Sequence, residues 1–167
     1  MNNSLTEMVF ILDRSGSMSG LESDTIGGYN SLLEKQRKEV GDATVTTVLF
    51  DDKYEMIHDH ADIKKVSLLT DREYFARGST ALLDAIGKTI NHVGNRHKFA
   101  PDSEIPVKTM VVIITDGFEN ASTEFSQPQI KAMIEHQKEK YGWEFLFLGA
   151  NIDAVSKIRG QNRCILF

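Results

Sequence analysis

Two aspartates each stand directly after an apolar run, Asp13 after Met8 to Leu12 and Asp116 after Met110 to Thr115. If both runs are parallel strands of one sheet, both acids arrive at the same carboxyl rim, and a strand reversal between them would put them in one crevice. Two ionised carboxylates in a partly buried crevice repel each other, so either one is protonated or a cation lies between them, and the cation is the simpler solution. The residues around Asp13 favour it. Asp13-Arg14-Ser15-Gly16-Ser17-Met18 sets a carboxylate and two hydroxyls at every second position, so in an extended loop three oxygens face one point, with Gly16 allowing a tight turn. Hard oxygen ligands, few of them charged, suit Mg2+ or Mn2+, which take six near-octahedral oxygens at roughly 2.0 to 2.1 Å. Zinc would call for His or Cys.

Placing these acids requires strands that alternate with helices. Met8 to Leu12, Ala43 to Phe50, Met110 to Thr115 and Trp143 to Leu148 read as strands, the last two apolar on both faces as in a buried parallel sheet. Asp51-Asp52-Lys53 is a polar turn into Tyr54 to His58, which predicts a hairpin whose second arm is an antiparallel edge strand. Ile26, Tyr29, Leu33 and Val40 form one apolar stripe across Gly20 to Val40. Leu82, Leu83, Ile86, Ile90 and Val93 mark a second helix, with Ser79 or Thr80 placed to cap it and Asp84 stabilising its first turns. Ile130, Met133, Ile134 and Gln137 mark a third, entered through Pro128. Asp62 to Phe75 reads as a short helix or an irregular crossover, and Asn95 to Val107 as a loop. The resulting fold class is α/β: a three-layer, Rossmann-like, doubly wound, mostly parallel sheet with one antiparallel edge and helices on both faces.

Composition narrows the function. The chain has 167 residues, the size of one domain, and carries 19 basic against 24 acidic side chains for a net charge of −5. No basic footprint for nucleic acid is present. No apolar run approaches the roughly 20 residues needed to cross a bilayer. The start, MNNSLTE, lacks the features of a secretory signal, and the single cysteine, Cys164, which reads as a small buried residue, cannot make an internal disulfide; the lack of signal and disulfide together points to the cytoplasm. His58, His60, His92, His97 and His136 have no metal-site spacing and read as surface residues. No glycine-rich phosphate-binding motif occurs. Glu119 and Asn120 read equally as an outer shell or ligand-facing rim of the Asp116 site and as a solvated approach to a helix.

Here Asp13-Arg14-Ser15-Gly16-Ser17 resembles the D-x-S-x-S signature of the von Willebrand factor type A (vWA) domain and its metal ion-dependent adhesion site. Gly78-Ser79-Thr80 resembles that family's threonine loop and Thr115-Asp116-Gly117 its aspartate loop, in the family's order. The resemblance spans Thr6 to about Asp153 of a single domain, 1–167, and leaves 154–167 as a short C-terminal extension. It implies that Ser15, Ser17 and Thr80 offer hydroxyls to the metal and that Asp13 and Asp116 bind it directly or through water. It also implies an open position filled by an Asp or Glu carboxylate of a partner protein, because neutral hydroxyls leave much of the cation's charge uncompensated. The expected function is therefore a non-enzymatic, Mg2+-dependent protein-binding module of the bacterial intracellular type, working beside a larger ATPase or stress-response complex. The long last helix that transmits activation in adhesion receptors has no counterpart after Leu148, so that switch is not carried over. Two alternatives are a Mg2+-dependent phosphoryl-transfer hydrolase with Asp13 as nucleophile and a scaffold with a vestigial site. The first is weakened by Ser15, which stands where haloacid dehalogenase-like enzymes place a second acid, and by the absence of a lysine flanking Asp116 on its strand side.

Overall fold

The computed structural model describes residues 2–116 and 119–149. Gly117, the proposed extension 154–167 and Cys164 lie outside the described residues. The elements are β1 (Asn2–Asp13), α1 (Glu22–Arg37), β2 (Asp42–Phe50), β3 (Tyr54–Asp62), α2 (Leu82–Phe99), β4 (Pro106–Thr115), α3 (Gln127–Tyr141) and β5 (Glu144–Gly149). They form one five-stranded sheet of order β3-β2-β1-β4-β5. β1 runs parallel to both β2 and β4, β4 is parallel to β5, and β3 pairs antiparallel with β2 at the edge. The expected α/β fold class is borne out, including the antiparallel edge. The chain winds outward from β1 through β2 and β3, then returns to the other side of β1, so β1 and β4 flank the switch point of the sheet.

Alternation along β1 divides the core. Met8, Phe10 and Leu12 face α1, where they meet Tyr29 and Leu33, while Val9 and Ile11 face α2 and α3, where they meet Leu82, Ile86, Ile90, Val93, Ile130 and Ile134. Phe10 and Tyr29 meet edge to face with centroids 4.6 Å apart, the arrangement favoured by aromatic quadrupoles. Asp13 continues the odd-numbered row and therefore ends the strand on the α2 face.

Several boundaries differ from the sequence expectations. The apolar stripe of α1 stops at Leu33, because the helix ends at Arg37 and leaves Val40 wholly exposed in the turn to β2. Asn95 to Val107 is mostly regular, since α2 continues to Phe99 and β4 starts at Pro106, leaving a short link with one 3-10 turn over Asp102–Glu104. α3 is entered through Pro128 as expected, with Ser126 and Gln129 forming a reciprocal capping box. Among the described residues no helix is long and apolar enough to cross a membrane.

The segment between β3 and α2 is an irregular crossover. It buries Ile63, Val66, Leu69 and Tyr74 against the α1 face, and α1 holds it there. The Asn30 side chain pairs with the backbone of Leu69, its amide donating to the carbonyl at 3.0 Å and its oxygen accepting the N–H at 2.7 Å. The Arg37 guanidinium donates to the carbonyl of Ile63 at 3.0 Å. Asn30→Ala leaves both Leu69 groups without a partner in a partly buried place. It is expected to cost about 1–3 kcal/mol of unfolding free energy, read as a lower urea midpoint at unchanged slope.

Candidate metal centre

Asp13 is fully buried at the end of β1. The pairing that joins Leu12 to Ile114 brings the next residue of β4, Thr115, alongside it. The Thr115 hydroxyl donates to Oδ2 of Asp13 at 2.8 Å, and the Ser15 N–H donates to Oδ1 at 2.8 Å. Burial pushes the Asp13 carboxyl above its usual range, the hydrogen bonds from Ser15 and Thr115 oppose that rise, and the charge of Asp116 adds to it. The two strand-end acids are thus close enough for one to act on the other, as their places at the ends of β1 and β4 lead one to expect.

The loop after Asp13 is not extended. Ser15 is extended (φ −64°, ψ 166°), but Gly16–Met18 forms a 3-10 turn closed by the Met18 N–H to the Ser15 carbonyl at 2.9 Å. Met18 drives the turn by burying its side chain in the core on the α1 face. The hydroxyls of Ser15 and Ser17 still converge, 2.9 Å apart, through the turn rather than through alternation. Ser15 is buried and Ser17 exposed, so the pair runs from the interior to the rim. Gly16 does not supply a positive φ. It allows a close approach, because its N–H donates to the Gly78 carbonyl at 2.9 Å and an added Cβ would sit 3.3 Å from that oxygen. Gly78 itself has φ +70°, and a Cβ there would fall 2.4 Å from a carboxylate oxygen of Asp52. Tyr74, also fully buried, donates its hydroxyl to the Asp13 carbonyl, and burial raises its phenol well above the ordinary range.

Thr80 is buried, but neither it nor Ser79 caps α2. The N-cap is Ala81, which has no oxygen to offer. The free helix N–H groups are met from the segment after Asp116: Glu119 accepts from Leu83 at 2.9 Å and the Ser122 hydroxyl accepts from Asp84 at 3.0 Å. Asn120 grips Thr80 on both sides of its peptide, its Oδ1 accepting the Thr80 N–H at 2.8 Å and its own N–H donating to the Thr80 carbonyl at 2.9 Å. Asp84 lies in the first turn of α2, and its carboxylate accepts the N–H groups of Thr123, Glu124 and Phe125. Glu119 and Asn120 are therefore the residues that tie the threonine loop to the aspartate loop. The available signal was an alanine at a position where helices prefer a side-chain oxygen.

The histidines are not all surface residues. His136 and His92 are exposed, but His58 is partly buried, which lowers its imidazole pKa, and Nε2 of His97 donates to a carboxylate oxygen of the buried Glu7 at 2.9 Å. Among the described residues no group of three or more His, Cys, Asp or Glu side chains is arranged to hold a metal ion. The donors gathered at the rim are instead two carboxylates and several hydroxyls. That set, with one carboxylate desolvated beside a second, fits a hard divalent cation such as Mg2+ or Mn2+.

A carboxyl whose folded-state pKa is raised opposes folding once ionised. Its contribution is most favourable below the unfolded pKa and is lost as pH rises through the raised folded value. In EDTA, wild type should therefore gain stability relative to Asp13→Asn as pH falls from 7 into the acid carboxylate range, measured by urea unfolding of both proteins. A constant difference across that range would contradict the desolvation of Asp13.

No family model and no curated protein sequence matches the chain. Solved structures do. The manganese-loaded TRAP protein of Plasmodium vivax is similar at TM-score 0.63 and 17% identity, over 89% of this chain and 58% of that one. A von Willebrand factor type A protein from Catenulispora acidiphila is similar at TM-score 0.57 and 15% identity, over 89% of this chain and 33% of that one. The ArnB paralog VWA2 of Sulfolobus acidocaldarius is similar at TM-score 0.53 and 16% identity, over 88% and 35%. The chain spans only a third to three fifths of the length of these proteins. With the sheet order and the strand-end acids already described, these likenesses give the chain the fold of a von Willebrand factor type A domain.

Proposed function

We propose that the chain is a non-enzymatic protein-binding module that holds Mg2+ or Mn2+ between Asp13, Ser15, Ser17, Thr80 and Asp116 and uses it to capture an Asp or Glu carboxylate of a partner protein. The observation that carries this reading is the setting of Asp13: a buried carboxylate whose hydrogen-bond donors, the Ser15 N–H and the Thr115 hydroxyl, are neutral, with a second acid acting on it. A cation bound there supplies a positive centre for an incoming carboxylate. The chain's own residues prepare the place. Ser15 orients Asp13 through its N–H, the Ser15 and Ser17 hydroxyls add oxygen without adding charge, and Asn120 fixes the backbone from which Thr80 projects. The likeness to a manganese-loaded protein of the same fold supports divalent-cation binding.

Thermal unfolding in EDTA and in excess Mg2+ or Mn2+ tests the reading. A cation that binds only the folded state stabilises by RT ln(1 + [L]/Kd), about 2.7 kcal/mol at a hundredfold excess over Kd. Wild type should shift upward with metal, whereas Asp13→Ala should not. Asp116→Ala should keep the far-UV circular dichroism of wild type and lose the metal-dependent shift, because that acid is at the rim rather than in the core. A wild type indifferent to millimolar metal would leave the scaffold reading in its place.

A further inference from the structure

Arg14 lies inside the D-x-S-x-S motif, yet its side chain is buried among acids of the β2–β3 hairpin. Its Nη1 donates to Glu55 at 2.9 Å and its Nε lies 3.7 Å from Oδ2 of Asp51. Asp51, at the end of β2, is itself buried. Its Oδ2 accepts from Nε of Arg77 at 2.7 Å and its Oδ1 from the Lys53 N–H at 2.6 Å. Its backbone carbonyl accepts the Ala81 N–H at 2.9 Å. One residue thus holds the threonine loop on both sides of Thr80, at Ala81 through its backbone carbonyl and at Arg77 through its carboxylate, and that carboxylate also faces Arg14 of the serine loop. The two loops also touch directly, Arg77 N–H to the Arg14 carbonyl at 2.7 Å and Gly16 N–H to the Gly78 carbonyl at 2.9 Å. Residues 77–81 belong to no helix or strand, so bonds of this kind are what set their position.

We infer that Asp51 is a positioning residue for the cation site. It binds no metal itself and fixes Thr80 relative to Ser15 and Ser17 by clamping Arg77 and Ala81 against Arg14. This rests on the cation reading of Asp13, Ser15, Ser17, Thr80 and Asp116. A buried carboxylate suits the task because it can hydrogen-bond the Arg77 guanidinium and at the same time attract the charge of Arg14 from the other loop, and removing it leaves Arg14 buried with one acid fewer. The demand for accuracy comes from the ion, since Mg2+ requires near-ideal octahedral geometry and a displaced hydroxyl is a lost ligand.

The test uses Asp51→Asn in the full chain. Loss of a residue that orients metal ligands typically lowers metal affinity about tenfold to a hundredfold, and that fall is expected for Mg2+ in calorimetric titration below the melting temperature of the variant. A merely structural Asp51 would lower the melting temperature and leave the affinity of the folded protein unchanged. Combined with Thr80→Ala, the two losses should not add, because both act through the same hydroxyl. In EDTA, amide hydrogen exchange at Gly16 and Arg77, whose N–H groups join the two loops, should be faster than in wild type, a readout that needs no metal. Arg77→Met, altering an exposed residue, should repeat these effects if Asp51→Asn does not fold. Folded variants with wild-type affinity, additive losses, or unchanged exchange would each overturn the inference. A wild type that binds neither Mg2+ nor Mn2+ would overturn the cation reading instead, and the exchange data would then decide the clamp alone.

Discussion

Burying a carboxylate at the end of the central strand is costly, and the rim of this protein is arranged around that cost. Asp13 has no exposure, its partners are a backbone N–H and a hydroxyl, and the charge of Asp116 makes its ionisation harder still. Each neighbour that lessens the penalty also fixes the shape of the site. The bond from Ser15 starts the turn that brings the Ser15 and Ser17 hydroxyls together, and the bond from Thr115 locks the ends of β1 and β4.

The same row of the same strand holds an instructive contrast. Glu7, six residues before Asp13 and equally buried on the α2 face, has a full complement of protein partners. Arg96 donates to one of its oxygens, and His97 lies 2.9 Å from the other. His97 in turn meets Trp143 edge to face, so the ion pair is packed into the junction of α2 and β5. A buried acid matched by a cation of its own chain is a structural feature. Asp13, by contrast, has neutral donors on both oxygens and a second acid beside it.

Local structure and site geometry are joined most tightly at the start of α2. Ala81 cannot cap the helix, so the N–H groups there take oxygens from Glu119 and Ser122, and Asp84 gathers three N–H groups of the returning loop. The helix end thereby becomes the platform on which the threonine and aspartate loops are fastened together, with Asn120 as the cross-link. Negative side chains at a helix N-terminus are also favoured by its dipole, so the fastening stabilises the helix as well as the rim.

The sequence by itself determined the elements, their order and the chemistry of the rim. Alternation and periodicity are local properties, so β1, β2, β4, β5 and the three helices were legible from spacing, as was the edge hairpin from its Asp51-Asp52-Lys53 turn. The strand-end positions of Asp13 and Asp116 were legible for the same reason. Where the elements end was less so: Val40 continues the stripe of α1 in sequence, but nothing in the core reaches it once the helix stops at Arg37. Only the tertiary structure decided what holds the site. The partners of Thr80, Arg14 and the α2 terminus lie between 36 and 41 residues away along the chain, in Asn120, Glu55, Glu119 and Ser122. Pairings of that range follow no period. They exist because closing the sheet brings three strand ends and one helix end to the same rim, where buried N–H groups and charges must find partners.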